Sequence, residues 1–149
     1  MPAVTGRSPW RGPTVALVLA ALLSGCGKGD GPFPVEGQVV WEDGTPAKEL
    51  HLGSVIFDLP EKQTGAKGMI QSDGTFRLTT NKPDDGALAG EYKVMVVEGA
   101  RRALPGGDGS QMAPGRMDSK YSDPSTTDLT ATVAPGKNVI KLTVKRAKR

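Results

Sequence analysis

Few side chains in this sequence could carry out catalysis. Among its 149 residues, histidine occurs once, as His51, and cysteine occurs once, as Cys26. A Ser-His-Asp triad needs an imidazole held by its neighbours, whereas His51 stands alone at the predicted entry to a strand. One cysteine excludes an internal disulfide and a cysteine-rich zinc site, and one histidine excludes a multi-histidine metal site. We therefore predict no catalytic residue, no metal and no cofactor.

The carboxylates are more numerous, but their spacing is typical of turns. Asp84 and Asp85 lie between Pro83 and Gly86, in a pattern that favours a turn over a catalytic acid pair facing a bound sugar. The Asp-Gly pairs at 43–44 and 73–74 lack the spacing of an EF-hand loop and predict tight turns. No Gly-x4-Gly-Lys-Ser/Thr motif is present, so a nucleotide site is not supported. These patterns predict a protein that is not an enzyme.

The stretch 99–117 is the most unusual part of the chain. Its 19 residues include five glycines, two prolines and three arginines, and this length exceeds that of an ordinary loop. Arg101, Arg102 and Arg116 are candidate binding residues, because guanidinium groups pair with the carboxylates or phosphates of an envelope polymer or protein. The alternative is a solvated excursion without a partner.

The chain ends in the basic segment 145–149, which has two alternative explanations. Near a membrane, its four Lys and Arg side chains would be attracted to anionic head groups. Alternatively, they keep the last strand in solution and block pairing at a sheet edge.

The N-terminus has the three parts of an export signal. Arg7 and Arg11 precede an uncharged apolar run over residues 13–23, and small residues follow it. This run has 11 residues, whereas a transmembrane helix needs about 20. The tetrad Leu23-Ser24-Gly25-Cys26 resembles the bacterial lipobox, which implies cleavage before Cys26 and lipidation of its thiol and amino group. The alternative is a secreted protein whose Cys26 is a stray thiol or a buried structural cysteine.

These signals divide the chain into three parts. Residues 1–25 are a lipoprotein signal peptide, residues 26–34 a flexible tether from lipidated Cys26, and residues 35–146 a single β domain. The formal net charge of +3 falls close to zero once the signal peptide is removed. Near-balanced charge and export both argue against nucleic-acid binding.

From residue 35 onward, short runs rich in Val, Ile, Thr and aromatic residues alternate with turn residues. In the last run, Ile140, Leu142 and Val144 share one face and Lys141 and Thr143 the other, as in a half-buried strand. No segment keeps a helical period for ten residues. We predict an all-β domain of seven strands, over residues 35–41, 52–59, 67–72, 75–80, 90–98, 128–134 and 137–145.

Two aromatic residues receive specific predictions. The segment Leu88-Ala89-Gly90-Glu91-Tyr92 resembles a tyrosine corner, in which the Tyr hydroxyl bonds a backbone group a few residues upstream. Trp41 lies at the end of a predicted strand, beside the turn 42–46, and is the aromatic residue best placed to serve as an exposed platform for a sugar.

Several blocks of sequence occur together in one order. They are Val35-Glu36-Gly37-Gln38-Val39, residues 68–80, residues 85–94, Lys120-Tyr121-Ser122-Asp123-Pro124 and Pro135-Gly136-Lys137-Asn138. In this order, and behind a lipobox, they resemble small bacterial lipoproteins with a carboxypeptidase-regulatory-like, transthyretin-like domain. The resemblance implies a seven-stranded Greek-key β-sandwich of transthyretin-like or immunoglobulin-like type. It implies no enzymatic activity, cofactor or catalytic residue.

Two functions are compatible with these observations. The favoured one is a non-enzymatic lipoprotein of the cell membrane or outer membrane, facing the periplasm or the cell exterior, with a structural or protein-interaction role. The alternative is a β-sandwich that binds a carbohydrate or a small ligand, which requires a concave site with convergent polar groups or an exposed aromatic ring.

Overall fold

The computed structural model describes residues 31–101, 105–106 and 112–148. These residues contain three 3-10 helices, η1 (Lys48–Leu50), η2 (Pro60–Lys62) and η3 (Ser119–Ser122), and no α-helix. None of the described helices has the length and apolar character needed to cross a membrane. Seven strands make up the rest of the regular structure: β1 (Val35–Trp41), β2 (Ser54–Leu59), β3 (Thr64–Met69), β4 (Thr75–Arg77), β5 (Gly90–Val97), β6 (Thr130–Val133) and β7 (Asn138–Val144). The all-β prediction is confirmed.

The strands form two sheets, in the orders β4-β1-β7 and β3-β2-β5-β6. All neighbours are antiparallel except β1 and β7, which run in parallel from the pair Val35–Asn138 to the pair Trp41–Val144. On one side the two sheets are joined, because Lys67 and Thr79 exchange both backbone hydrogen bonds at 2.9 Å. The other side is bounded by β6 and β7, which are the edge strands of their sheets.

One apolar core fills the space between the sheets, since alternate residues of each strand face inward. Phe57 of β2 lies at the centre, with its ring centroid 6.1 Å from that of Phe76 and 5.6 Å from that of Tyr92. Gly37 makes room for this cluster, because a Cβ atom there would lie 2.3 Å from the Phe76 ring. The predicted tyrosine corner is present, as the Tyr92 hydroxyl donates to the Leu88 carbonyl oxygen at 2.9 Å.

Several strand boundaries differ from the prediction, and each difference has a local cause. The strand predicted at 52–59 begins at Ser54, because Leu52 has a φ of 68° and a strand cannot continue through a left-handed residue. The strand predicted at 67–72 lies at Thr64–Met69, since the weakly apolar Thr64 and Gly65 pair with Leu59 and Asp58 in the β2–β3 hairpin. The strand predicted at 75–80 ends at Arg77, and the remaining strands differ by no more than two residues at either end.

The predicted Asp-Gly turns are confirmed and share one geometry. The Asp43 carboxylate accepts a hydrogen bond from the Thr45 backbone N–H at 2.9 Å, and Asp73 accepts the same bond from Thr75 at 2.9 Å. In both turns the glycine between these residues has a positive φ, 82° at Gly44 and 83° at Gly74. These aspartates therefore build turns.

The connections give the sandwich two distinct ends. The chain enters β1 at what we call the tether end, together with the turns 60–63, 78–89 and 134–137. At the opposite, distal end lie the turns 42–53 and 70–74, residues 98–101 and 113–117, and the C-terminal segment 145–148. Seven residues of extended strand separate the two ends by about 23 Å.

Candidate functional site

Trp41 anchors a cluster of side chains at the distal end. Its indole is buried, with 1% of the residue exposed, and its Nε1–H donates to Glu49 Oε2 at 3.0 Å. The Arg146 guanidinium covers the ring, with Cζ 4.4 Å from the ring centroid, and its Nη1 lies 3.4 Å from Asp43 Oδ2. The prediction that Trp41 offers an exposed platform is wrong, because the C-terminal segment closes over it.

At the distal end, Glu98 fixes the position of the last residues of the stretch 99–117. One oxygen of Glu98 accepts hydrogen bonds from the backbone N–H groups of Arg116, at 2.8 Å, and Met117, at 2.7 Å. Residues 116–118 then pair with the C-terminal segment, since Ala147 donates to the Arg116 carbonyl at 2.9 Å and Asp118 donates to the Lys145 carbonyl at 3.0 Å. Residues 116–118 are called the strap below.

The three predicted arginines do not share one role. Arg116 Nη1 donates to the Glu49 carbonyl oxygen at 2.9 Å, so part of this guanidinium holds the strap against η1. Arg101 is exposed, and its Nη1 makes one long contact of 3.5 Å with the Ala113 carbonyl oxygen. Arg102 lies outside the described residues, as do Leu23, Ser24, Gly25 and Cys26.

Glu49 is the charged centre of the distal cluster. The hydrogen bond from Trp41 holds the pKa of the Glu49 carboxyl below its ordinary value, and the positive charges of Arg146 and Arg116 act in the same direction. The carboxylate therefore stays ionised and continues to accept the hydrogen bond from the indole N–H. This arrangement joins β1, η1, the strap and the C-terminal segment.

The groups considered for catalysis are separate in the structure. His51 is exposed at the end of η1. Asp85 accepts three backbone N–H bonds, from Thr80, Asn81 and Lys82, at 2.7, 3.0 and 2.8 Å, and these bonds hold its pKa below the ordinary value. Within residues 31–101, 105–106 and 112–148, no three His, Cys, Asp or Glu side chains lie close enough together to hold a metal ion.

A shallow groove of about 930 Å³ lies on the outer face of the β4-β1-β7 sheet and extends to β3. Across it, Glu36 stands opposite Arg77 and Val139, and Gln38 stands opposite Thr75 and Lys141. Glu36 pairs with Arg77 at 3.5 Å and with Lys137 at 3.3 Å. The groove thus brings together amides, hydroxyls and charges of both signs.

Sequence reasoning missed this groove. The alternation of apolar and polar residues identified the outward-facing positions of the strands, but it indicated only a solvent-exposed face. The groove arises because β3 meets the segment after β4 through the Lys67–Thr79 bonds, which adds Lys67 and Met69 to the same surface. No local pattern in the sequence signals that contact.

No protein family, curated protein or solved structure matches this chain.

Proposed function

We propose that this protein is a non-enzymatic, lipid-anchored module of the cell envelope that presents the distal end of its sandwich to a partner. The observation that carries the proposal is that the N-terminal entry to the domain and its distal loops lie at opposite ends of the sandwich. The chain enters the tether end through residues 31–34, whereas residues 99–101, the strap and the C-terminal segment lie about 23 Å away at the distal end. An anchor at Cys26 would hold one end near the membrane and leave the other accessible.

The lipobox and the apolar run before it support the anchor. Two or three acyl chains on Cys26 would give stable attachment, because a single chain binds a bilayer only marginally. The proposed site of action is the cell membrane or outer membrane, on the face toward the periplasm or the cell exterior. Acylation converts the Cys26 thiol to a thioether, so this residue has no nucleophilic role in the proposal.

The proposed fold type is the seven-stranded Greek-key sandwich of carboxypeptidase-regulatory-like, transthyretin-like domains. Two observations support it. The seven strands form sheets of three and four, and the Tyr92 hydroxyl bonds the Leu88 carbonyl as in a tyrosine corner. Such domains carry no catalytic machinery of their own, which agrees with a binding or structural role.

The position of the C-terminal segment helps to decide whether its basic residues contact lipid head groups. Lys145, Arg146 and Lys148 lie at the distal end, away from the start of β1. Arg146 is engaged with Trp41 and Asp43. The geometry therefore favours a structural role for this segment over contact with lipid head groups.

Membrane fractionation of cells that express the full chain tests the anchor. Cys26→Ala should move the protein from the membrane fraction to the aqueous fraction, because no thiol remains to be acylated. Ser24→Ala is the matched control, since it keeps a small residue in the lipobox and should leave the protein on membranes. Continued tight membrane association of Cys26→Ala would overturn the lipid anchor.

A second candidate function is binding of a carbohydrate or a small ligand in the groove on the β4-β1-β7 sheet. The groove favours it because amide, hydroxyl and charged groups converge there, at Gln38, Gln71, Thr75 and Arg77. Calorimetric titration with envelope glycan fragments tests this candidate. Binding that is lost in Gln38→Ala and kept in Arg101→Ala would place the ligand in the groove, and absence of heat with all fragments would count against it.

A further inference from the structure

Among the residues that the structure describes, the edge of β7 that faces away from β1 carries backbone groups without partners. Asn138 donates to Pro34 at 2.9 Å on the β1 side, so the even-numbered residues of β7 bond to β1. The odd-numbered residues Val139, Lys141 and Thr143 point their N–H and C=O groups the other way. Within the described part of the chain these six groups have no hydrogen-bond partner.

The strap already uses the same edge one step further along. Lys145 and Ala147 are the next odd-numbered residues, and they bond to Asp118 and Arg116 of the strap. The bridge between Met117 and Arg146 is antiparallel. The edge of β7 therefore accepts an antiparallel strand, and the strap occupies only its last positions.

The side chains beside this free edge are basic. Lys137, Lys141 and Lys145 lie on the outer face at every fourth position, and all three are exposed. Val139 stands between the first two with 78% of its residue surface exposed. Only Lys137 of these lysines has a carboxylate within 4 Å among the described residues, namely Glu36 at 3.3 Å.

We propose that the free edge of β7 binds an extended acidic peptide segment of a partner protein, which adds a strand to the β4-β1-β7 sheet. Its backbone bonds Val139, Lys141 and Thr143. Its acidic side chains face Lys137 and Lys141, and an apolar residue between them covers Val139. This inference rests on the proposed function and supplies the surface and the partner chemistry that the function leaves open.

A second copy of this chain fits the edge less well. Antiparallel pairing of two β7 strands about their midpoint places Lys141 opposite Lys141 of the other copy. It also brings two rows of lysines onto one face, and like charges opposite each other destabilise a sheet. An edge lysine is a common means of preventing such self-association.

Residue-resolved amide hydrogen exchange on the full chain in detergent micelles tests the proposal. The probe is a capped peptide, Thr-Thr-Glu-Thr-Val-Thr-Glu, and its control has lysine in place of both glutamates. At saturation the acidic peptide should slow exchange at 139, 141 and 143 by about tenfold and leave 140 and 142 unchanged, since these already bond to β1. Protection that is absent, or equal for the basic peptide, would overturn the proposal.

Val139→Pro and Val139→Ala form a matched pair of variants. Proline removes the N–H that points to the free edge, while the bonds to β1 remain, so the sandwich should persist. Val139→Pro should weaken acidic-peptide binding by about tenfold, whereas Val139→Ala should change it by less than about threefold. Equal binding by both variants would place the peptide elsewhere and overturn the proposal.

The same samples distinguish peptide binding from self-association of the chain. Protection that appears with rising protein concentration and without peptide would show that a second copy occupies the edge, which contradicts the proposal. Fractionation of Cys26→Ala is independent of this edge. A failed peptide experiment with normal membrane release would therefore reject the docking site alone.

Discussion

The Arg146 guanidinium lies over the Trp41 indole, with 4.4 Å between its Cζ and the ring centroid. This contact joins the last residues of the chain to the end of β1, and Glu49 completes it by accepting the indole N–H at 3.0 Å. The C-terminal segment is thus part of the folded domain. It holds the strap in place through Lys145 and Ala147.

Removal of the guanidinium should expose Trp41. We expect Arg146→Ala to lower the free energy of unfolding by about 0.5–1 kcal/mol, through loss of the cation–π contact. It should also increase quenching of Trp41 fluorescence by acrylamide, and Trp41 is the single tryptophan after Cys26. Arg146→Lys is the control with retained charge and should have a smaller effect on both measurements. Unchanged quenching in Arg146→Ala would show that other groups cover the ring.

Glu49 should make the stability of the domain depend on pH. Its pKa in the folded protein lies below the unfolded value, mainly because of the Trp41 hydrogen bond. The stabilisation is therefore present above the unfolded pKa and is lost as the pH falls through the folded pKa. Glu49→Gln should make unfolding free energy less dependent on pH over the acidic range, as measured by urea denaturation at several pH values. An unchanged dependence of the unfolding free energy on pH would contradict this role of Glu49.

The tyrosine corner should contribute measurably to stability. Tyr92→Phe removes the hydroxyl that donates to Leu88 and leaves that carbonyl without its partner. We expect unfolding free energy to fall by about 1 kcal/mol, because this is the usual net contribution of such a bond. Tyr121→Phe is the comparison variant, since the polar neighbour of the Tyr121 hydroxyl is the Lys120 side chain and not a backbone carbonyl. Equal denaturation midpoints for both variants would argue against the corner.

The two parts of the stretch 99–117 should respond differently to mutation. Met117, the middle residue of the strap, is buried with 3% of its surface exposed, and Met117→Ala should cost about 2–3 kcal/mol of stability. Replacement of 102–111 by a short Gly-Ser linker should shift stability by less than about 1 kcal/mol, because loop length has a small entropic effect. Thermal denaturation of both variants distinguishes them. A large loss in the linker variant would show that this part belongs to the core.

The alternation of apolar residues predicted the number of strands and most of their positions, although the third strand lies three residues earlier than the predicted 67–72. β1 has the predicted bounds, 35–41, and the inward face of β7 contains the expected residues. Turn chemistry was equally local, since the Asp-Gly-Thr turns depend on neighbours within two residues. Strand periodicity and turn hydrogen bonds both depend on residues that are close together in the sequence, so both can be predicted from short segments.

The contacts at the distal end could not be predicted in this way. Trp41 is covered by Arg146, which comes 105 positions later in the sequence, and Arg116 bonds Glu49 across 67 positions. These contacts depend on which loops share an end of the sandwich, and no periodicity encodes that. The free edge of β7 has the same origin, because it follows from sheet order and not from the sequence of β7 alone.

The proposed function requires that a lipid at Cys26 hold the tether end near the membrane and the distal end away from it. Pro135→Cys labels the tether end and Glu42→Cys labels the distal end, and both positions are exposed. In the lipidated protein Cys26 is acylated, so each variant has one thiol free for a fluorescent donor.

The measurement is energy transfer from each donor to acceptors in the surface of lipid vesicles that carry the full lipidated chain. The donor at 135 should transfer more efficiently than the donor at 42, because residue 135 lies at the tether end and residue 42 at the distal end. Equal transfer from both positions, reversed order, or failure of the lipidated chain to remain on the vesicles would contradict the proposed function.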